Sequence, residues 1–294
     1  MEENRFFGFE VELTGITQIM AADNLIKALG PEAKLINPKR KKRITRFVIK
    51  DKDRRLWKVC SDSSVEAKIN VKSEHEPEAY RVEIVTPKLT WQDWDTIDRV
   101  LFALADCGAV ITQTCGLHVH VDVEDFDEKA LRQLCCFFYY HEGKLMRIAK
   151  THKRRAKYCL PTRDDFIEMI TGQEGDRVWD LETAWYISNF DGDDPSGCSH
   201  YHSSRYQGFN LHSFFEGNGI EFRIFNSSLS RDEVKSYVTL VLQIVEHCRR
   251  RKRARWKRRN LRPEKKDVKR FLRLIGISPR QNAVTWNTLT ARLD

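Results

Sequence analysis

The sequence lacks the features that mark several common classes of protein. It has no apolar run approaching the roughly 18 residues that a transmembrane helix needs. Its eight cysteines include no C-x-x-C pair, so neither a zinc site nor a disulfide framework is expected. No Gly-x-x-x-x-Gly-Lys-[Ser/Thr] loop is present, which excludes nucleotide binding of the P-loop kind. The chain of 294 residues is nevertheless long enough to bury a full core.

The first residues are not expected to act as a secretion signal. The first five residues are Met1, Glu2, Glu3, Asn4 and Arg5, an acidic start without the apolar core of a signal peptide. We therefore expect the protein to reside in the cytoplasm.

The basic charge is concentrated near the C-terminus. Residues 249–273 hold 15 lysines and arginines against 2 acidic residues, so the net charge of +9 does not describe the rest of the chain. We expect residues 1–248 to form a catalytic domain and residues 249–294 to form a basic helical extension. Because Trp256 lies among the basic residues, this segment is a candidate for binding nucleic acid or an acidic partner, and the alternative is a solvated helix end.

Several segments alternate polar and apolar residues with the period of a β-strand. In residues 7–13, Glu10 and Glu12 share one face and Phe9 shares the other with Val11 and Leu13. Similar alternation at 80–87, 116–123 and 219–225 predicts further strands with one polar face. This pattern predicts an α+β fold with a mainly antiparallel, curved sheet that has helices on one face and a cleft on the other.

The polar faces of these strands bring together one kind of chemistry. Carboxylates and imidazoles that face a common cleft suit two hard cations such as Mg²⁺, and a neighbouring arginine would bind a phosphate or carboxylate. Taken singly, a carboxylate or arginine of this kind is explained equally well by a salt bridge, and a histidine by a buried structural role. The predicted polar set is Glu10, Glu12, Asp62, Glu83, His118, His120, Glu221 and Arg223.

Six motifs then occur in an order that resembles a known family. They are Phe-Gly-Phe-Glu-Val-Glu-Leu at 7–13, Trp-x-Val-x-x-Asp-Ser-Ser at 57–64, Glu-Ile-Val-Thr-Pro at 83–87, Gly-Leu-His-Val-His-Val-Asp at 116–122, Arg-Tyr-x-x-x-Asn-Leu at 205–211 and Ile-Glu-Phe-Arg-Ile-Phe at 220–225. Together they resemble the amidoligase family, a branch of the glutamine synthetase and glutamate–cysteine ligase superfamily of carboxylate–amine ligases. The resemblance covers about residues 5–248 and implies a catalytic domain like that of glutamine synthetase.

The resemblance implies roles for individual residues. The implied metal ligands are Glu10, Glu12, Glu83, His118 and Glu221. The implied nucleotide- or substrate-binding residues are Arg205, Asn210, His120 and Arg223, and the implied catalytic residues are Arg223, Arg205 and His118. Which of His118 and His120 contacts the metal or the phosphates stays open, because the two side chains share one face of the strand.

The resemblance also implies a reaction. An ATP- and Mg²⁺-dependent ligase, with two Mg²⁺ ions as the resemblance implies, would activate a carboxylate as an acyl phosphate, which an amine then attacks to form an amide. The substrates implied are a small carboxylate and an amine, either an amino acid or a peptide. No membrane partner is expected. The long segment 172–204, which has little periodicity, is interpreted as a surface loop that could close over such a site.

A metal-dependent hydrolase is the other catalytic alternative. His118, His120 and Asp122 resemble the His-x-His-x-Asp run of metallo-β-lactamase-type enzymes. Those enzymes have a further histidine directly after the aspartate, where this chain has Val123. The surrounding glutamates also favour Mg²⁺ over Zn²⁺.

Overall fold

A computed structural model of the chain describes residues 5–36, 46–69, 76–172, 178–189, 202–251, 259–291 and 293. The chain divides into two compact units. The N-terminal unit comprises Glu3–Val119 and Asn226–Val234, and the C-terminal unit comprises His120–Phe225 and the chain from Lys235 onward. The boundary between them falls within one strand, between Val119 and His120.

The strands belong to one antiparallel sheet that does not close into a barrel, which confirms the predicted α+β class. They are β1 (Phe7–Leu13), β2 (Lys34–Leu35), β3 (Arg46–Lys50), β4 (Leu56–Cys60), β5 (Val82–Val85), β6 (Gly116–Val121), β7 (Phe209–Asn210) and β8 (Ile220–Asn226). Their order across the sheet is β2-β3-β4-β5-β1-β6-β8-β7.

The helices lie between and after these strands. They are α1 (Gln18–Leu29), α2 (Trp94–Asp106), α3 (Glu128–Ala149), α4 (Asp164–Thr171), α5 (Leu181–Ser188), α6 (His212–Phe215), α7 (Arg231–Arg249), α8 (Lys265–Leu274) and α9 (Ala283–Ala291). Among the described residues, no helix is both long enough and apolar enough to span a lipid bilayer.

The N-terminal unit is built on the alternation of β1. Phe9, Val11 and Leu13 are each at most 2% exposed, so their shared face lies in the core. Helix α1 packs against α2 and against β3 and β4, and it begins at Thr17, whose hydroxyl accepts a hydrogen bond from the Met20 N–H. The opposite face of β1 therefore carries Glu10 and Glu12.

The C-terminal unit is organised around α3. This helix buries an apolar stripe that includes Leu134 and Phe138, and the ring of Phe138 stacks on Phe209 of β7 with centroids 4.6 Å apart. Helix α8 packs on α3 and buries Val268, Phe271 and Leu272. The C-terminal segment is thus packed on the helices of this unit where it is described.

One sequence-based expectation about local structure is wrong. Residues 181–188, within the segment interpreted as a surface loop, form α5, in which Trp185 is buried against Phe166, because their apolar residues pack rather than extend into solvent. Arg205 lies in the 3-10 helix Ser203–Tyr206. Helix α9, near the C-terminus, buries Trp286 and Leu289.

Other expectations fall outside the described residues. These are the proposed loop character of 173–177 and 190–201, the cysteine at 198 and the tryptophan at 256. Among the described residues, seven cysteines are present and none is joined to another in a disulfide.

Candidate active site

Two glutamates face each other where β1 pairs with β5. The antiparallel register places Glu12 opposite Glu83, and the pairing of β5 with β4 places Cys60 opposite the other side of Glu83. Since cross-strand partners project from the same face of the sheet, three side chains form one row. Two adjacent carboxylates in such a row repel each other unless a positive charge lies near them.

His118 of β6 contacts both glutamates of β1. Its Nδ1 is 2.8 Å from Glu10 Oε2, and its Nε2 is 3.4 Å from Glu12 Oε1. A neutral imidazole has only one N–H, so it can donate to one of these carboxylates while its lone pair faces the other. A proton on both nitrogens, or a bound cation, would satisfy the arrangement.

Glu12 is the most deeply buried of the N-terminal carboxylates, with 2% of its surface exposed. Its Oε2 accepts a hydrogen bond of 2.6 Å from the Gly116 N–H at the start of β6. Its backbone carbonyl accepts one from the Ser227 hydroxyl, also at 2.6 Å. These contacts hold the Glu12 carboxylate in a fixed position, which sequence periodicity alone did not reveal.

Asp62 completes the group of carboxylates from a turn that follows β4. Its Oδ1 accepts a hydrogen bond of 2.6 Å from the Ser64 N–H, which fixes the turn. The ligand atoms of Glu12, Asp62 and Glu83 lie within 4.8 Å of one another, and so do those of Glu10, Glu83 and His118. Two oxygen-rich groups that share Glu83 fit hard divalent cations such as Mg²⁺ in the donor chemistry they offer.

Cys60 is a neighbour of this cluster that motif reasoning did not single out. Burial, together with the charge of Glu83, raises the pKa of its thiol to about 11. The thiol is therefore protonated near neutral pH, and it is poorly suited to act as a nucleophile. Its position followed from the alternation of β4, in which Trp57 and Val59 face the core.

The C-terminal unit contains a second group of the predicted residues. Glu221 is 3% exposed and lies opposite Asn210 in the pairing of β7 with β8. Its Oε2 accepts a hydrogen bond of 2.7 Å from Asn210 Nδ2, and its Oε1 is 2.5 Å from Arg223 Nη1. The Glu221 carboxylate thus connects the amide of Asn210 to the guanidinium of Arg223.

Arg223 is held by further contacts along its own strand. Its backbone N–H donates to the Gly208 carbonyl at 2.9 Å, and its Nε lies 3.5 Å from the Tyr158 carbonyl. The side chain is 12% exposed, so it is largely but not completely buried. This geometry presents a positioned cation with little rotamer freedom left to lose.

The remaining predicted residues are placed differently. His120 Nδ1 lies 3.4 Å from the Ser213 hydroxyl in α6. The Arg205 guanidinium lies 5.2 Å from the centre of the Tyr206 ring. Asp122 caps a turn by accepting a hydrogen bond of 2.9 Å from the Glu124 N–H, and none of the metal-ligand groups found in the described residues includes it. The placement of Asp122 therefore does not support a metal site of the metallo-β-lactamase kind.

A comparison with family models decides the family. The model described as "Putative amidoligase enzyme" matches residues 3–245, which is most of the chain. The chain belongs to the amidoligase family. This match confirms the resemblance inferred from the ordered motifs. Amidoligases are amide-bond-forming ligases. A search of curated proteins finds no match.

The amidoligase match ends before the basic segment begins. Residues 249–273 and helices α8 and α9 lie beyond residue 245, so the family match does not account for them. Both glutamates of β1, Glu83, His118 and Glu221 lie within the matched region.

Proposed function

We propose that this amidoligase is an ATP- and Mg²⁺-dependent carboxylate–amine ligase that forms an amide bond through an acyl-phosphate intermediate. The observation that carries the proposal is the cluster of Glu10, Glu12, Glu83 and His118 at the centre of the sheet. This cluster concentrates negative charge and oxygen ligands in a chain whose family forms amide bonds.

The proposed metal ligands are Glu10, Glu12, Glu83 and His118, with Glu221 as the last acidic ligand. Asp62 joins this set because it lies in the same oxygen-rich group as Glu12 and Glu83. When bound, two Mg²⁺ ions would neutralise charge on the phosphates of ATP. The hydrogen bond from the Gly116 N–H would keep the Glu12 carboxylate oriented for this role.

The positively charged and amide side chains are proposed to bind the reactants. Arg223, fixed by Glu221, would bind a phosphate or the substrate carboxylate and stabilise negative charge as it develops. Asn210 would maintain the orientation of Glu221 and contribute to nucleotide or substrate binding. Arg205 and His120 are proposed to contact the nucleotide. The substrates are a small carboxylate and an amine, from amino acids or peptides.

The first test is ATP turnover with Mg²⁺ across mixtures of amino acids and peptides. The wild-type protein is compared with Glu10→Gln/Glu12→Gln and with the control Glu32→Gln, which changes an exposed glutamate outside the cluster. We expect release of ADP and phosphate that depends on substrate, is abolished in the double variant and is unchanged in the control.

Binding is measured separately from turnover. A non-hydrolysable ATP analogue should give a larger thermal shift with Mg²⁺ than with EDTA in the wild-type protein and in Glu32→Gln, and this Mg²⁺-dependent part of the shift should be absent from the double variant. If the wild-type protein folds and shows neither turnover nor any nucleotide-dependent shift, the ATP-dependent mechanism is wrong.

A further inference from the structure

A pocket of about 970 Å³ opens between α3, the end of α7 and α8 in the C-terminal unit. We call it the α3–α8 pocket. Its volume lies in the range of small-molecule sites. None of its lining residues belongs to the candidate active site, and α8 lies beyond the region that the family model matches.

The α3–α8 pocket is strongly basic. Lys144 of α3, Arg250 and Arg251 after α7, and Arg270 of α8 line it, and Asp267 is the one acidic residue among the lining residues. Arg250 is partly neutralised, since its Nε lies 2.7 Å from Glu246 Oε1. Three or more cations around one acidic group favour an anionic ligand, and arginine guanidinium groups match the geometry of a phosphate.

Aromatic rings also line the pocket. His141 packs against both Phe137 and Phe271, with ring centroids 4.4 Å and 4.7 Å away. Tyr140 packs edge-on against His141 at 4.8 Å and is the more exposed ring, and the Lys144 ammonium lies 4.9 Å from its centre. Leu274, which is 42% exposed, adds apolar surface at the rim. A flat, partly apolar ligand can pack against such surfaces.

Gln133 adds a polar group to the lining. The residue is 8% exposed, and its side-chain oxygen has no hydrogen-bond donor among the described residues. That oxygen is itself buried, so the groups that can contact a ligand are the cations and the rings of the lining. The pocket therefore offers cations for an anion and a ring surface for a planar group.

The C-terminal segment builds this pocket because it docks closely on α3. A Cβ placed on Gly143 would lie 2.1 Å from the Asn260 carbonyl oxygen, so only glycine allows this approach. Arg259 reaches into the unit, with Nη1 2.5 Å from Glu142 Oε2 and Nη2 2.9 Å from Asp164 Oδ1. These contacts fix the backbone that carries Asn260 at the edge of the pocket.

We propose that the α3–α8 pocket binds a nucleotide, with its phosphate at Arg251 and Arg270 and its base against Tyr140. The same chemistry is offered by a free nucleotide and by one residue of a single-stranded nucleic acid. Stacking of a base on an aromatic side chain and phosphate contacts from arginine are the recurrent means of binding such strands.

The test measures fluorescence anisotropy of a labelled single-stranded oligonucleotide with the full-length protein, in EDTA so that metal-dependent nucleotide binding does not contribute. Arg251→Ala/Arg270→Ala should weaken binding by about tenfold or more. It should also reduce the slope of log K against log salt concentration by about two, since two phosphate contacts are lost. Lys266→Ala/Arg280→Ala removes the same charge from residues outside the pocket and should have an effect of about twofold or less.

A second variant separates ring contacts from charge. Tyr140→Leu keeps the net charge and should weaken binding of the oligonucleotide by about tenfold through lost stacking. Competition distinguishes the two possible ligands. If a mononucleotide displaces the labelled probe, the pocket binds a free nucleotide; if only unlabelled oligonucleotide displaces it, the pocket binds a strand. The proposal is wrong if the protein does not bind the oligonucleotide, or if the two double variants lose binding equally. It is also wrong if polyglutamate abolishes binding while Tyr140→Leu leaves binding unchanged.

Discussion

Glu12 lies directly opposite Glu83 in the antiparallel pairing of β1 with β5. Like charges in directly opposed positions destabilise a sheet, so this pair is costly unless a cation is bound beside it. Glu83→Gln should therefore stabilise the metal-free protein by up to about 1 kcal/mol. The same change should remove the stabilisation that Mg²⁺ gives to the wild-type protein. Chemical denaturation with EDTA and with Mg²⁺ measures both effects.

Glu32→Gln is the control for this prediction, because Glu32 is exposed and lies in a turn outside the strands. It should change neither the stability in EDTA nor the response to Mg²⁺. A Glu83→Gln protein that is less stable in EDTA and still responds to Mg²⁺ would contradict the assignment of this pair to a metal site.

Arg223 and Glu221 should be coupled in stability as well as in activity. Arg223→Ala removes the ion pair with the buried Glu221 carboxylate, and breaking a buried ion pair typically costs about 3–5 kcal/mol. The double variant Glu221→Gln/Arg223→Ala should be more stable than the sum of the single changes predicts. Urea unfolding of the wild-type protein, the two single variants and the double variant gives the double-mutant cycle that measures this coupling.

Arg223→Lys tests the effect of this side chain on activity. Lysine keeps the charge but not the planar fork of donors, so we expect near-normal stability with a loss of ligase turnover of at least about tenfold. Turnover equal to that of the wild-type protein would show that Arg223 contributes charge alone.

Asp93 should make the N-terminal unit sensitive to acid. Burial alone would raise its pKa, but hydrogen bonds from Thr90 and the guanidinium of Arg55 outweigh burial and lower the pKa. The Asp93 carboxylate accepts a bond of 2.7 Å from Arg55 Nη1. A carboxyl whose pKa is lowered by folding stabilises the protein above about pH 4, and this contribution disappears as the pH falls below that value.

Asp93→Asn should therefore lower the free energy of unfolding at pH 6 and make less difference at pH 3. Asp53→Asn is the matched control, because Asp53 also contacts Arg55, at 3.3 Å, but is 54% exposed. The control should change stability little at either pH. Equal losses for Asp93→Asn at both values would show that the contribution is not electrostatic.

Gly143→Ala tests the docking of the C-terminal segment. Replacing glycine by alanine inside an exposed helix normally stabilises it by about 0.5–1 kcal/mol. Here the added methyl group would meet the Asn260 carbonyl oxygen, so we expect destabilisation of about 1–3 kcal/mol and faster proteolysis after α7. Thermal unfolding and limited proteolysis measure the two effects, and stabilisation by the substitution would show that the segment does not pack on α3.

The sequence alone determined which residues alternate along each strand, because a strand places every second side chain on the same face. This was sufficient to predict β1, β6 and β8 and their polar faces, whereas the family was identified from the resemblance of the six ordered motifs. Helices α2, α3 and α7 were likewise predictable from the spacing of their apolar residues. The isolated Gly143 within α3 was a signal of close packing that the helical pattern did not explain.

Only the tertiary structure decided which of these side chains meet. The register that opposes Glu12 to Glu83, and the position of His118 between Glu10 and Glu12, depend on pairing between segments far apart in the chain. Helix α5 and the docked C-terminal segment were also missed, because their burial depends on distant partners such as Phe166 and Glu142. Local periodicity records which face of an element is apolar, whereas register and docking follow from the free energy of contacts that exist only in the folded chain.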